Sequence, residues 1–242
     1  MLDVRRVSVT ADLLTQPAVM WVPPGSTMSA ASEAADLACA VGQPPFPEQR
    51  LALEVLLAEV RQPGRPLRWA AFEAAIVCGR QNMKTWCLQM SVLHDLFVRQ
   101  DARRIVWTAH RFKTTQSAFE DFVHLIEANE LLGKQVLKVR TSNADKSIHL
   151  RSGARLDFLA RTSGGGRGLT GDVVVLDEAL FLSAAMMGSL IPTMSARSVD
   201  GNPQVRYGSS AGLLDSEVLR GLRDRGRALN DPTLAYVEWS VP

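Results

Sequence analysis

Apolar residues follow two rhythms along the chain. Ala74-Ala75-Ile76-Val77-Cys78, Arg104 to Ala109 (RIVWTA) and Val173-Val174-Val175-Leu176 are short continuous runs with the length and β-branched content of buried strands. Lys84 to Val98 and Thr114 to Asn129 instead carry apolar residues at helical spacing, with Phe119, Phe122, Val123 and Ile126 forming one stripe of the second. The alternation of β and α predicts an α/β domain with a mainly parallel central sheet flanked by helices. Glu48 to Val60 reads as a further helix, started by Pro47 and stopped by Gln62-Pro63-Gly64. Val136 to Val139, Ser147 to Leu150 and Ala154 to Leu159 read as short strands forming an antiparallel excursion. Val205 to Ser209 is one more strand, before a helix over Ser216 to Leu229. Residues 1–47, broken by six prolines, read as an N-terminal arm or lead-in rather than core, with an alanine-rich helix available over Ala30 to Val41.

Composition narrows the class. A chain of 242 residues that is 46% hydrophobic can bury a sizeable core. Its net charge of +2 means that contact with nucleic acid would have to come from local basic clusters. The clusters on offer are Arg99, Arg103, Arg104, Arg111 and Lys113; Lys134, Lys138, Arg140 and Lys146; and Arg220, Arg223, Arg225 and Arg227. Cys39, Cys78 and Cys87 have neither metal-site nor disulfide spacing, which fits a reducing cytoplasm. No signal-peptide core and no stretch of about 18 apolar residues is present, so no membrane association is expected.

The candidate chemistry lies where strands end. Cys78-Gly79-Arg80-Gln81-Asn82-Met83-Lys84-Thr85 follows an apolar strand and opens a helix, the context of a phosphate-binding P-loop. In such a loop the Lys reaches the β- and γ-phosphates and the hydroxyl takes Mg²⁺. Lys84 and Thr85 match, but Cys78 and Met83 occupy both glycine positions of the pattern, so the octet alone also fits a basic helix start. Met83 would be strained by about 1–2 kcal/mol if its backbone required positive φ. The second acidic element is Asp177-Glu178 at the end of the 173–176 run. One carboxylate there can hold the Mg²⁺ shell and the other can polarise the attacking water.

Together these segments resemble the ATPase domain of bacteriophage terminase large subunits. Gly79 to Thr85 is similar to that family's arginine-containing Walker A loop, and Trp107-Thr108-Ala109-His110 to its second strand. Arg167-Gly168-Leu169-Thr170-Gly171-Asp172 running into Val173 to Ala179 resembles its Walker B region, and Ser209-Ser210-Ala211-Gly212 its coupling motif. The resemblance spans about residues 46–242 and implies a P-loop NTPase (ASCE/RecA-like) fold over 48–235, with Tyr236 to Ser240 opening a linker to a nuclease. No acidic cluster of the nuclease kind follows within the chain, so endonuclease activity is not expected of these residues.

The resemblance also implies roles. ATP and Mg²⁺ would be bound by Gly79, Gln81, Asn82, Met83, Lys84 and Thr85, with Thr85 and Asp177 as metal ligands and Glu178 activating water. Arg80 in cis or Arg167 in trans would stabilise transition-state charge, with Arg161 a weaker candidate on the same loop as Arg167. Gln49 would read adenine, or else be an exposed helix residue, and Ser209 and Ser210 would couple γ-phosphate state to motion. The implied partners are double-stranded DNA, a portal protein, a small terminase subunit and further copies of the chain in a ring, placed at the procapsid portal in the host cytoplasm. The competing readings are a helicase-like nucleic-acid-dependent ATPase and a nucleotide-binding scaffold with weak turnover.

Overall fold

A computed structural model describes residues 13–79, 83–142, 145–161, 169–197, 201–210, 212 and 216–240. In chain order the elements are β1 (Val19–Trp21), β2 (Met28–Ser29), α1 (Ala31–Ala40), α2 (Pro47–Leu56), β3 (Ala58–Val60), β4 (Arg68–Trp69), β5 (Glu73–Val77), α3 (Lys84–His94), β6 (Arg104–Ala109) and α4 (Phe112–Glu127). They continue with α5 (Glu130–Gly133), β7 (Val136–Ser142), β8 (Asp145–Leu150), β9 (Arg155–Ala160), β10 (Val173–Leu176), α6 (Ala184–Ala196), β11 (Gln204–Ser209), α7 (Glu217–Arg227) and β12 (Leu234–Glu238).

Among the described residues, nine strands form one sheet in the order β1-β12-β5-β11-β10-β6-β9-β8-β7. From β12 to β9 every neighbouring pair is parallel, whereas β1, β8 and β7 run antiparallel to their neighbours. The expected antiparallel excursion therefore extends the main sheet through β9, which pairs along its whole length with β6. A helical core on one face includes Leu53, Leu56, Leu88, Val92, Phe119 and Phe122 against Ile76, Trp107 and Val175. On the other face Leu190, Met194, Leu219 and Leu222 pack with Val77, Val174 and Tyr207. Both faces of β5, β10, β11 and β12 are thus dry, which explains the apolar runs of β5 and β10, whereas β9 alternates between buried and part-exposed residues. Among the described residues no helix is long and apolar enough to cross a membrane.

The structure corrects three expectations. The segment read as a lead-in supplies edge strand β1, bonded to β12, and helix α1, whose Ala31, Ala34 and Ala38 are buried in the core. Their small side chains allow close helix packing, which an alanine-rich sequence does not reveal by itself. The helix expected over 48–60 ends at Leu56, because Ala58–Val60 pairs with both β2 and β4 in a small antiparallel sheet. Tyr236 to Glu238, read as the opening of a linker, is fully buried strand beside β5. Helix α6, with Pro192 inside it, is an addition to the elements expected from the apolar pattern.

Candidate functional site

The parallel strands all present their carboxyl ends at one edge of the sheet, where ligands of open α/β sheets bind. Strand β5 leads to Cys78 and Gly79, β11 ends in Ser209, β10 leads to Asp177 and Glu178, and β6 leads to His110. Strand β11 separates β5 from β10, so the phosphate-loop candidate and the paired acids stand two strands apart. The edge is tied together by main-chain bonds: Cys78 N–H donates to the Ser209 carbonyl (3.1 Å), and Asp177 N–H to the Thr108 carbonyl (2.9 Å).

Lys84 opens α3 and is buried, its Nζ donating to the Gly79 carbonyl at 2.6 Å. The ammonium therefore turns back toward the end of β5, and its charge reaches the Asp177 carboxylate. Burial pushes the Asp177 carboxyl up to about 6, opposed by the Glu178 N–H on Oδ1 (2.8 Å) and by Arg161 and Lys84, and reinforced by the Glu178 charge. Gly208 on β11 lets Leu88 of α3 pack close to the strand: a Cβ there would stand 2.6 Å from Leu88 Cδ1, whereas at 3.5 Å from Asp177 Oδ1 it would only be in ordinary contact with the carboxylate.

Glu178 sits in the left-handed backbone region, with φ 54° and ψ 48°. A non-glycine residue held there stores on the order of 1–3 kcal/mol and marks a turn fixed by its surroundings. Its carboxylate reaches the start of α4, where Oε2 accepts from His110 N–H (3.1 Å) and Oε1 from Thr114 Oγ1 (3.5 Å). The His110 ring stacks on Phe181 just beyond, with centroids 4.3 Å apart.

The remaining candidates divide. Met83 adopts φ −53° and ψ −10° and is buried in the core, so the strain expected from a left-handed backbone does not arise. Thr85 lies in the first turn of α3, half-buried. Gln49 is buried rather than exposed, and its Oε1 accepts the Phe46 N–H (2.8 Å), closing the start of α2. Its own carbonyl takes the Cys87 thiol (3.8 Å), which places it beside the first turn of α3. Ser209 and Ser210 are buried at the site edge, with Ser209 Oγ donating to the Ser210 carbonyl (2.8 Å). Arg80, Gln81, Asn82 and Arg167 lie outside the described residues.

Arg161 is not a free finger. It is buried, and its guanidinium donates to the carbonyls of Thr108 (3.1 Å), Asp177 (2.5 Å) and Glu178 (3.0 Å). Desolvation lowers its pKa to about 10, against the pull of Asp177 and Glu178. No feature of spacing marks this role, because a buried arginine and a loop arginine look alike in sequence.

The basic clusters also change meaning. Arg223 and Arg227 clamp the buried Glu238, and Arg225 pairs with Glu73 and Asp231, so these three fasten α7 to the sheet. Arg99 bonds Glu59 and Asp101, while Lys146 is buried with its ammonium over Phe112 and Phe119. Lys134 and Arg140 pair with Glu130 and Asp145 at exposed positions. A different grouping emerges across the sheet: cross-strand neighbours Lys138 and His149, His149 and Arg155, and Arg155 and Arg104 share the face away from α4. Among the described residues, Arg111, Lys113 and Lys138 make no ion pair, and all three are exposed.

No family model matches the sequence, and no curated protein matches it. Solved structures do. The HK97 bacteriophage large terminase superposes with a TM-score of 0.70 at 18% identity, over 89% of this chain and 45% of that one. The Thermus phage P74-26 large terminase ATPase domain matches with a TM-score of 0.52 at 19% identity, over 77% of this chain and 72% of that one. A mutant of that domain gives 0.53 at 18% identity, over 74% and 70%. The chain thus spans less than half the length of the HK97 protein. It has the P-loop NTPase fold of phage large-terminase ATPase domains.

Proposed function

We propose that this chain is the ATP-hydrolysing motor domain of a phage large terminase, coupling γ-phosphate loss to translocation of double-stranded viral DNA into a procapsid. The observation that carries the reading is the convergence of Lys84, Asp177 and Glu178 at the carboxyl edge of the sheet, beyond the ends of β5 and β10, which the strand ending in Ser209 separates.

Thr85 and Asp177 offer hard oxygen donors, and a cation would offset the burial that raises the Asp177 carboxyl, so the residues fit Mg²⁺. Among the described residues no group of three or more His, Cys, Asp and Glu side chains could hold a metal, so phosphate oxygens and water would complete the shell. Bound Mg²⁺ supplies charge neutralisation on the β- and γ-phosphates. Lys84 exchanges the Gly79 carbonyl for phosphate oxygens, and Glu178 leaves the start of α4 to orient and deprotonate water. Gly79, Gln81, Asn82 and Met83 line the phosphates through their backbone, and Arg80 in cis or Arg167 from a neighbouring subunit stabilises the developing charge. The amide oxygen of Gln49 is engaged by Phe46, which leaves its amino group to meet the adenine edge. Ser209 and Ser210 carry the γ-phosphate state into β11 and α7.

DNA contact falls to the exposed Arg111, Lys113 and Lys138 and to the sheet face with Arg104, Arg140 and Arg155, which keeps a cationic excess although Asp157 and Asp145 pair with these arginines, through phosphates and independently of sequence. The motor acts as a ring of copies on a portal, with a small terminase subunit, at the procapsid in the host cytoplasm. Glu178→Gln tests the reading: the variant should bind ATP and lose DNA-stimulated phosphate release. Retained turnover would move the catalytic base to another residue.

A further inference from the structure

The buried guanidinium of Arg161 joins the ends of two strands at the point where the hydrolytic acids begin. Its Nη1 bonds the carbonyl of Thr108, the penultimate residue of β6, and its Nη2 is shared between the carbonyls of Asp177 and Glu178. The Asp177 carbonyl belongs to the same peptide whose N–H closes onto Asp177 Oδ1 (2.8 Å), so Arg161 and the Asp177 carboxylate grip that peptide from opposite sides. That turn holds Glu178 at φ 54°, a conformation an L residue keeps only when its surroundings over-determine it. Arg161 is itself anchored by its own N–H on the Ala109 carbonyl (3.0 Å). The planar fork serves three acceptors at once, which a lysine ammonium on a flexible stem does not do with the same geometry.

We propose that Arg161 is a positioning residue of the hydrolytic site, fixing the left-handed Asp177–Glu178 turn and thereby the direction from which the Glu178 carboxylate meets water. The inference rests on the ATPase reading above. Before hydrolysis Glu178 has two supports, Arg161 behind its backbone and the start of α4 in front of its carboxylate; once the carboxylate leaves α4 for water, the Arg161 support is the one that stays. Loss of the rear support tilts the carboxylate without touching nucleotide, and a misplacement of about 1 Å in a reacting group costs on the order of 100-fold in rate.

The experiment is steady-state ATP turnover with DNA, alongside ATP affinity by calorimetry, for wild type, Arg161→Met, Glu178→Gln and the double variant. Arg161→Met should lower kcat by about 10- to 100-fold with ATP affinity within about threefold of wild type, and should add nothing to the defect of Glu178→Gln. A generally weakened fold would instead lower affinity as well and act additively with Glu178→Gln, and either result overturns the proposal, as does wild-type kcat in Arg161→Met. If Arg161→Met does not fold, Arg161→Lys keeps the buried charge without the three-way fork: reduced kcat at unchanged affinity supports the proposal, and wild-type kcat overturns it. Absence of turnover in the wild type would overturn the ATPase reading itself before any variant is measured, so the two failures are distinct.

Discussion

Two glycines on α7 give a matched pair whose substitutions should have opposite signs. Gly221 faces open space, and a Cβ built there meets nothing within 4 Å. Alanine at a helix-interior glycine gains roughly 0.5–1 kcal/mol of propensity, so Gly221→Ala should stabilise by about that much. Gly226 lies against the ring of the fully buried Tyr236, and its Cβ would stand 2.4 Å from Cγ and 2.5 Å from Cδ1. The ring cannot simply turn aside, because its hydroxyl donates to Glu238 Oε2 (2.7 Å), which is also held by Arg227. Relief requires α7 to lift by roughly 1 Å, which stretches the Arg223, Arg225 and Arg227 pairs beneath it. Overpacking of this kind costs about 1–3 kcal/mol, and contacts this short with a held ring put the site at the upper end, so against the propensity gain of roughly 0.5–1 kcal/mol Gly226→Ala should destabilise by roughly 2 kcal/mol net. In a chain of this size each kcal/mol moves Tm by about 2–4 °C. Calorimetric scans should therefore place Gly221→Ala a few degrees above wild type and Gly226→Ala a few degrees below it. A Gly226→Ala protein as stable as Gly221→Ala would refute the packing argument.

Met83→Gly restores the glycine of the usual phosphate loop but removes a buried side chain from a backbone already at negative φ, so denaturation should show a loss on the order of 2–5 kcal/mol and the turnover assay no gain. A faster Met83→Gly enzyme would show that the side chain obstructs phosphate. The Glu238 carboxyl is drawn down to about 2 by bonds from Arg227, Arg223 and Tyr236 that outweigh its burial. Because the folded value is depressed, its stabilisation is complete above about 4.5 and disappears as pH falls from there toward 2. Glu238→Gln should flatten the acid side of a stability-versus-pH curve over that window, and an unchanged slope would contradict the assignment. Lys138→Ala should make the slope of log affinity against log salt for duplex DNA shallower by about 1, equally for unrelated sequences, because one phosphate loses its neutralising ammonium. An unchanged slope would take Lys138 off the DNA surface.

The local pattern of this sequence already determined the strands β5, β6, β9, β10 and β11, the helices α3, α4 and α7, the place of Lys84 and Thr85 at the start of α3, and that of Asp177, Glu178 and Ser209 at strand ends. Those features are set by neighbours a few residues apart, through apolar periodicity and the chemistry of strand ends. Tertiary structure decided everything that depends on partners far along the chain. The insertion of β11 between β5 and β10 and the pairing of β1 with β12 bring together segments that no short-range period connects. Ala58 to Val60 continues the apolar character of α2, yet becomes strand because β2 and β4 bond it from both sides. The arginines show the limit most clearly. In sequence Arg161, Arg223, Arg225 and Arg227 look like any other basic residues, and only the positions of distant carbonyls and carboxylates turn them into clamps. A guanidinium's role is set by what it can reach, and that reach is a property of the folded chain.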